Sequence, residues 1–331
     1  MTVQDDAALR REGRTLTAAT PAEAGQQKQA HAAAAPSRSR RTKLQMRVNE
    51  WLRRAYNSGS FPIVVLFLFH DRRIHPSYGM TWPNKLRLAW RMYRNTKHIH
   101  TGTSYKAHLA MAVTLLEIPP STKGVVVECG CWNGGSTANL SLVCAIVGRE
   151  LIVYDSFEGM PAPQPNDKWA VESATGFLRG DLEVVRENVR RYGAVEQCQF
   201  RKGWFSDTLP GHKERIVLAY LDVDYEASMH DCVVNLWPHV VPQGYVFMDE
   251  YSRLDYCAIF FSERFWKEYF DTAPPGLMGT GSGIGVGQYF LGPKRVLGRP
   301  LQQALSVAYT RKDFYGLWDY VPAEDPSGAT A

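Results

Sequence analysis

Two short stretches of the chain end apolar runs in carboxylates. "LAYLDVDYEAS" (218–228) turns polar at Asp222 and Asp224, and "GYVFMDEYS" (244–252) turns polar at Asp249 and Glu250. If both runs are adjacent strands, their acidic ends gather like charges in one place. Such a cluster is costly unless something offsets it, and a divalent cation is the usual solution. An all-oxygen donor set suits Mg²⁺, Ca²⁺ or Mn²⁺ rather than Zn²⁺. The competing reading is a set of helix-capping, solvated carboxylates.

A third stretch, "VVVECGCWNGGSTANL" (125–140), offers different chemistry. An apolar run ends in Glu128, glycines follow at 130, 134 and 135, and a helix-like segment begins near Ser136. Strand, glycine turn and helix N-terminus form the geometry in which open α/β sheets hold ligands at strand ends. Bare glycines let ligand atoms approach the main chain, and the free N–H groups of the helix favour a carboxylate or phosphate. The string is not GxGxxG, and no Lys follows the glycines as in a P-loop. A generic dinucleotide or phosphate cradle is therefore disfavoured.

Two further strand ends extend the site. In "LIVYDSFEGMP" (151–161) Asp155 ends a run about 20 residues beyond the glycine turn, where an acidic side chain accepts ribose hydroxyls. Ser156 follows it, and Phe157 can cover an adenine ring. "FRKGWFSDTLP" (200–210) places Trp204, Phe205 and Asp207 where a base is stacked and hydrogen-bonded. Three successive strand ends in this order read as a nucleoside site.

The elements that must position these groups follow an alternating pattern. Apolar runs at 124–128, 151–154, 197–201, 216–221 and 244–248 read as strands. Helix-like segments near 135–147, 178–191 and 226–237 separate them. Strands spaced by helices predict βαβ units and a parallel sheet covered on both faces. Ahead of them lie three helical segments: one with Leu44, Val48, Trp51, Leu52 and Ala55 at helical spacing, one opened by Pro83 with Leu86, Trp90 and Tyr93 on one face, and 104–117. Phe61–Phe69 is too short to span a bilayer, which takes about 20 residues, and reads as a buried strand or docking segment. Glycines at 279, 281, 283, 285 and 287 recur with a period of two, which predicts a late antiparallel hairpin rather than a nucleotide loop.

Composition sets the frame. The chain has 331 residues, of which 45% are hydrophobic and 21% charged, with a formal net charge of +5. That is enough for one sizeable α/β domain with extensions. Charge is unevenly placed: Arg38, Arg40, Arg41, Lys43, Arg47, Arg53 and Arg54 face only Glu50 between Ser37 and Arg54, and Lys85–Lys97 adds a second basic run. These are solvated faces or a contact for an anionic membrane surface, nucleic acid or an acidic partner. Six cysteines without CxxC or Cys/His metal spacing read as buried free thiols in a reducing, cytoplasmic setting, and no signal-peptide core is visible.

Taken as a set, Glu128-Cys-Gly130-Cys-Trp132-Asn-Gly134-Gly135-Ser136, Asp155-Ser-Phe157-Glu-Gly159, Gly203-Trp-Phe-Ser-Asp207, Leu221-Asp-Val-Asp224 and Gly244-Tyr-Val-Phe-Met-Asp249-Glu250-Tyr resemble the macrocin O-methyltransferase (TylF-type) family. The resemblance runs from about Thr101 to Tyr251. It implies a class I S-adenosylmethionine-dependent methyltransferase with a Rossmann-like, mostly parallel seven-stranded sheet, helices on both faces and an N-terminal helical extension. It implies methylation of a small-molecule hydroxyl, often on a sugar or natural product, with Mg²⁺ or another divalent cation. Carried over, Glu128, Gly130 and the turn through Ser136 hold the methionine part, with Trp132 as a wall. Asp155 holds the ribose, Phe157, Trp204 and Asp207 surround the adenine, and Asp222, Asp249 and Glu250 hold the metal. Where the family string is D-x-D-x-Y-E-S, this chain reads Tyr225-Glu226-Ala227-Ser228 after Asp224.

Methyl transfer also needs a base for the hydroxyl proton. Asp222 and Asp224 are the first candidates, with His230 behind them. The predicted organisation is a basic tail at 1–42, a helical or lid region at 43–117, the methyltransferase domain at 118–295 and an extension at 296–331. The partner expected is a small-molecule acceptor, with membrane-surface contact by the basic N-terminus and homo-oligomerisation as further expectations. Nucleic acid is not expected, since no Asn/Asp-Pro-Pro-aromatic string occurs. The competing function is a non-catalytic nucleotide- or cofactor-binding protein of the same fold, and an NAD-dependent dehydrogenase is a third.

Overall fold

A computed structural model describes residues 58–70, 74–164, 175–249, 257–279 and 307–314, with single residues or pairs at 48, 51, 55, 295–296 and 299–300. The chain divides after Trp51, and everything below concerns the unit from Leu52 onward. Five parallel strands form its centre: β1 (Val125–Cys129), β2 (Leu151–Asp155), β3 (Cys198–Lys202), β4 (Ile216–Leu221) and β5 (Val240–Met248). The two-residue β6 (Met278–Gly279) and β7 (Ala308–Arg311) complete a seven-stranded sheet in the order 3-2-1-4-5-7-6. β7 runs antiparallel to both its neighbours.

The central strands are apolar along their length because helices cover both faces. All six residues of β4, "IVLAYL", are buried, as expected of a doubly covered parallel strand. Strand order reverses between β1 and β4, and the crevice at their carboxyl ends is where such sheets bind ligands. On one face pack α1 (Phe61–His70), α2 (Trp82–His98), α3 (Tyr105–Glu117), α4 (Gly135–Val147) and α5 (Leu182–Tyr192) around Leu109, Leu140, Val143, Val153 and Tyr220. On the other pack the single-turn α6 (Phe205–Thr208), α7 (Glu226–Leu236) and α8 (Glu263–Phe270) around Val127, Ile152, Leu221, Met229 and Trp266.

One sequence expectation is corrected. Phe61–Phe69 is not a buried strand but the helix α1, with Val64, Val65, Leu68 and Phe69 inward. A short unbroken apolar run carries no period to separate helix from strand, and Pro62 fits the first turn of a helix. On α2, Leu88, Ala89, Met92, Tyr93 and Asn95 turn inward, whereas Leu86 and Trp90 are exposed. The inward face also carries a buried polar lattice: Asn95 Nδ2 donates to Asn139 Oδ1 at 2.9 Å and to Tyr192 O at 2.9 Å, and Asn139 Nδ2 lies 2.8 Å from His108 Nδ1. This lattice ties α2, α3, α4 and α5 together, and burial lowers the His108 pKa to about 3, so the ring stays neutral. The glycine-rich run after Gly279 and the hairpin expected there lie outside the described residues.

Candidate active site

The glycine turn is shaped by its neighbours as much as by any ligand. Gly130 has φ +83°, and a Cβ there would sit 1.9 Å from the Asp222 carbonyl oxygen. The end of β1 is therefore pressed against the end of β4, with Asp222 N donating to Cys129 O at 2.9 Å. Gly134 caps α4 in a left-handed conformation, and no side chain caps the helix. A Cβ at Gly135 would meet the Thr101 Cβ at 2.8 Å. The first turn of α4, with Ser136, thus faces the crevice beneath the segment 99–104.

Glu128 lies at the foot of this turn, fully buried. Burial pushes its pKa up to about 7; the nearby Ser136 and Thr137 hydroxyls temper that rise and the Asp155 charge adds to it. Among the described residues neither carboxylate oxygen completes a hydrogen bond. A buried carboxylate in that condition is expensive unless it is protonated or faces a cation. An ammonium group meets that need, and the open N–H groups of α4 can take a carboxylate. The residues present therefore fit an amino-acid moiety.

Asp155 braces the turn. Its Oδ2 accepts from Cys131 N at 2.7 Å and Trp132 N at 3.3 Å, and its Oδ1 from Phe157 N at 2.7 Å. Ionised carboxylates offer about four acceptor positions, so one remains toward a ribose hydroxyl. Ser156 closes the next turn, its Oγ donating to Gly159 O at 3.0 Å and accepting from Glu158 N at 3.1 Å. Phe157 is buried, with its ring centroid 6.4 Å from that of Phe200. It forms floor rather than an exposed platform. Trp204 and Phe205 are half-buried at the start of α6, and Asp207 is exposed with Ser206 Oγ donating to it at 3.2 Å. Trp132 is half-buried at φ +44°, and its ring packs on His100 with centroids 4.8 Å apart.

The acidic ends of β4 and β5 meet at Thr103, a residue that no pattern in the sequence marks. Thr103 Oγ lies 3.0 Å from Asp249 Oδ2, 3.4 Å from Asp222 Oδ2 and 3.0 Å from the Tyr220 hydroxyl, which in turn lies 3.2 Å from Asp222 Oδ2. Two hydroxyl protons suffice if Tyr220 donates to Asp222 and Thr103 to Asp249. The Asp222 residue as a whole is half-buried, but its carboxyl is enclosed by these groups. That enclosure, with Asp249 and Asp224 adding like charge, raises its pKa well above the carboxylate range. The pair thus needs a proton or a cation. Its oxygen donors suit Mg²⁺, although no three His, Cys, Asp or Glu side chains converge as metal ligands among the described residues. Glu250 lies outside the described residues.

Asp224 occupies the turn after β4 at φ +59°. His230 is not drawn to this cluster: its Nε2 lies 3.2 Å from the Tyr269 hydroxyl, and its ring packs on Phe265 and Tyr269 of α8. Cys131 is buried beside Asp155 and Glu128, which with burial hold its thiol protonated. All six cysteines are free.

A family model described as Macrocin-O-methyltransferase (TylF) matches residues 97–270, a span that includes Thr103, the glycine turn and both acidic strand ends. The chain is 36% identical over 182 residues to 8-demethyl-8-(2,3-dimethoxy-alpha-L-rhamnosyl)-tetracenomycin-C 4'-O-methyltransferase of Streptomyces olivaceus, covering 52% of this chain and 69% of that one. It is 33% identical over 144 residues to demethyldecarbamoylnovobiocin O-methyltransferase of Streptomyces niveus, covering 40% of this chain and 55% of the relative. The solved structure of the O-methyltransferase NovP aligns over 63% of this chain and 80% of its own, with 24% identity and a TM-score of 0.47.

Proposed function

This chain belongs to the macrocin O-methyltransferase (TylF) family of S-adenosylmethionine-dependent enzymes, and we propose that it methylates a hydroxyl of a small molecule of the sugar or natural-product kind with the help of Mg²⁺. The observation that carries this reading is the contact of Gly130 with Asp222. It sets the cofactor turn and the acidic pair side by side, so a methyl donor and a hydroxyl acceptor would meet between them. One of the two relatives above is named for 4'-O-methylation of a rhamnosyl-tetracenomycin and the other for O-methylation of demethyldecarbamoylnovobiocin, which supports the acceptor class.

S-adenosylmethionine supplies the methyl group from its sulfonium when bound. Glu128 would face the ammonium of its methionine part, and the N–H groups of Gly135 and Ser136 would take the carboxylate. Gly130, Trp132 and Gly134 shape the wall. Asp155, with Ser156 holding the turn behind it, would take the ribose; Trp204, Phe205 and Asp207 would enclose the adenine, with Phe157 in the floor beneath. Asp222 and Asp249, with Glu250 following, would hold Mg²⁺, which lowers the pKa of an oxygen it touches.

Thr103 keeps Asp222 and Asp249 in register, and Asp222 or Asp224 accepts the hydroxyl proton as the methyl departs. His230 is the weaker candidate for that step, since its ring is committed to Tyr269. Holding donor and acceptor in line is the main contribution asked of the protein.

The test is transfer from methyl-labelled S-adenosylmethionine to a panel of sugars, nucleosides and phenols. Transfer that stops on chelation and returns with Mg²⁺ supports the whole reading. If Asp222→Asn and Asp249→Asn leave transfer and its metal dependence untouched, the metal part fails.

A further inference from the structure

The exposed sides of α1 and α2 carry large apolar residues that the proposed catalysis does not use. Ile63 (47% exposed) and Leu66 (53%) lie on α1; Trp82 (43%), Leu86 (48%) and Trp90 (50%) form an i, i+4, i+8 stripe on α2. The two helices are antiparallel neighbours: Phe61 packs edge-on to Trp90 at 5.5 Å, and the Lys85 ammonium lies 5.6 Å above Phe69 and 4.9 Å above Trp82 at the other end. The face lies ahead of the family match, which begins at residue 97. A patch of this kind on a globular domain marks a contact surface.

Charge identifies the occupant. No Asp or Glu occurs between Arg72 and Leu116, while Lys or Arg occurs at 72, 73, 85, 87, 91, 94, 97 and 106. Arg87, Arg91 and Arg94 are exposed beside the apolar stripe. A second copy of this face would therefore meet its own positive charge. The surface that fits is apolar within and densely anionic at its rim. An anionic lipid leaflet has that structure: tryptophans settle at headgroup level, aliphatic side chains enter the acyl boundary, and cations meet the phosphates.

We propose that the α1–α2 face docks on an anionic membrane surface, with Ile63, Leu66 and Leu86 in the acyl boundary, Trp82 and Trp90 among the headgroups and Arg87, Arg91 and Arg94 on lipid phosphates. The docking is peripheral: no helix among the described residues is long and apolar enough to cross a bilayer. α2 leads directly into the 99–104 segment, whose Thr103 ties Asp222 to Asp249, so the docking face is joined to the site through one short connection.

The experiment is flotation of the full chain with vesicles of phosphatidylglycerol and phosphatidylcholine, and with phosphatidylcholine alone. Binding to the anionic vesicles only, weakened by salt, is expected. Arg87→Gln/Arg91→Gln should lower that affinity roughly thirtyfold, about a factor of five for each cation lost near the surface. Ile63→Gln/Leu86→Gln should also release the protein, while thermal melting and S-adenosylhomocysteine binding stay unchanged because both side chains are exposed. Absence of binding, equal binding to neutral vesicles, or binding indifferent to both double variants would overturn the proposal. So would sedimentation showing that Ile63→Gln/Leu86→Gln instead breaks a self-associated species or a complex with an acidic protein.

Discussion

Replacing Glu128 by Gln separates a ligand-facing carboxylate from a merely structural one. The native side chain is fully buried with a pKa raised to about 7 from 4.5, chiefly by burial. A carboxyl whose folded pKa is raised stabilises the fold relative to its ionised form below the unfolded value, and that contribution is lost as pH rises through the folded value. Without ligand, the native chain should therefore lose about 3 kcal/mol from this group between about pH 4.5 and about 7, at about 1.36 kcal/mol for each pH unit separating the folded and unfolded values. The Gln variant has no charge to bury. Its melting temperature should match the native one near the bottom of that range and exceed it increasingly toward neutrality, with a constant gap above it.

Binding should move the other way. With an ammonium beside it the native carboxylate ionises willingly, whereas Gln offers only a neutral acceptor. Loss of a hydrogen bond to a charged group costs about 1.5–3 kcal/mol. S-adenosylhomocysteine affinity above neutral pH should thus fall by about 10- to 150-fold. Differential scanning fluorimetry across pH, with and without S-adenosylhomocysteine, measures both effects. Identical pH–melting profiles for the two proteins, or unchanged ligand affinity in the variant, would refute the reasoning.

Other changes should be equally diagnostic. Thr103→Val keeps the shape but removes the hydroxyl between Asp222 and Asp249; the Mg²⁺ concentration for half-maximal methyl transfer should rise by about tenfold or more, and Thr103→Ser should restore it. Gly130→Ala places a methyl 1.9 Å from a carbonyl oxygen at positive φ, and should cost about 3 kcal/mol or more in denaturant melts, whether or not ligand is present. Asn139→Ala breaks the lattice joining Asn95, His108 and the Met92 carbonyl; it should lower stability by about 2–4 kcal/mol with little change in ligand affinity of the folded fraction.

The parts of the site that lie on regular elements were readable because period and termination are local properties. Five apolar runs match the five parallel strands, and Glu128, Asp155, Asp222 and Asp249 stand at or next to their carboxyl ends. Thr103 left no such mark. It sits in a six-residue connection, 99–104, with no period, and its role exists only because α2 and α3 bring that connection over the ends of β4 and β5. A weak pointer was present in the small and hydroxyl residues of "TGTS", which suit close packing on Gly135.

Asp155 shows a related limit. Its position at a strand end was legible, but two of its backbone partners lie across the fold in the glycine turn, and sequence spacing does not display them. For α2, helical period was visible while the buried face was not. Leu86 and Trp90 are the larger apolar residues, yet Ala89, Met92 and Asn95 turn inward, where Asn95 meets Asn139. The inward side carries Leu88, Ala89, Met92 and Tyr93, and the one polar residue among them, Asn95, is satisfied by buried partners that the period does not display.

Calorimetric titration of the intact chain with S-adenosylhomocysteine, beside NAD in the same buffer, tests the central claim most directly. The account predicts saturable binding of S-adenosylhomocysteine at one site per chain, lost or strongly weakened by Glu128→Gln, and no comparable heat from NAD. Tight NAD binding, or S-adenosylhomocysteine binding that Glu128→Gln leaves intact, would contradict it.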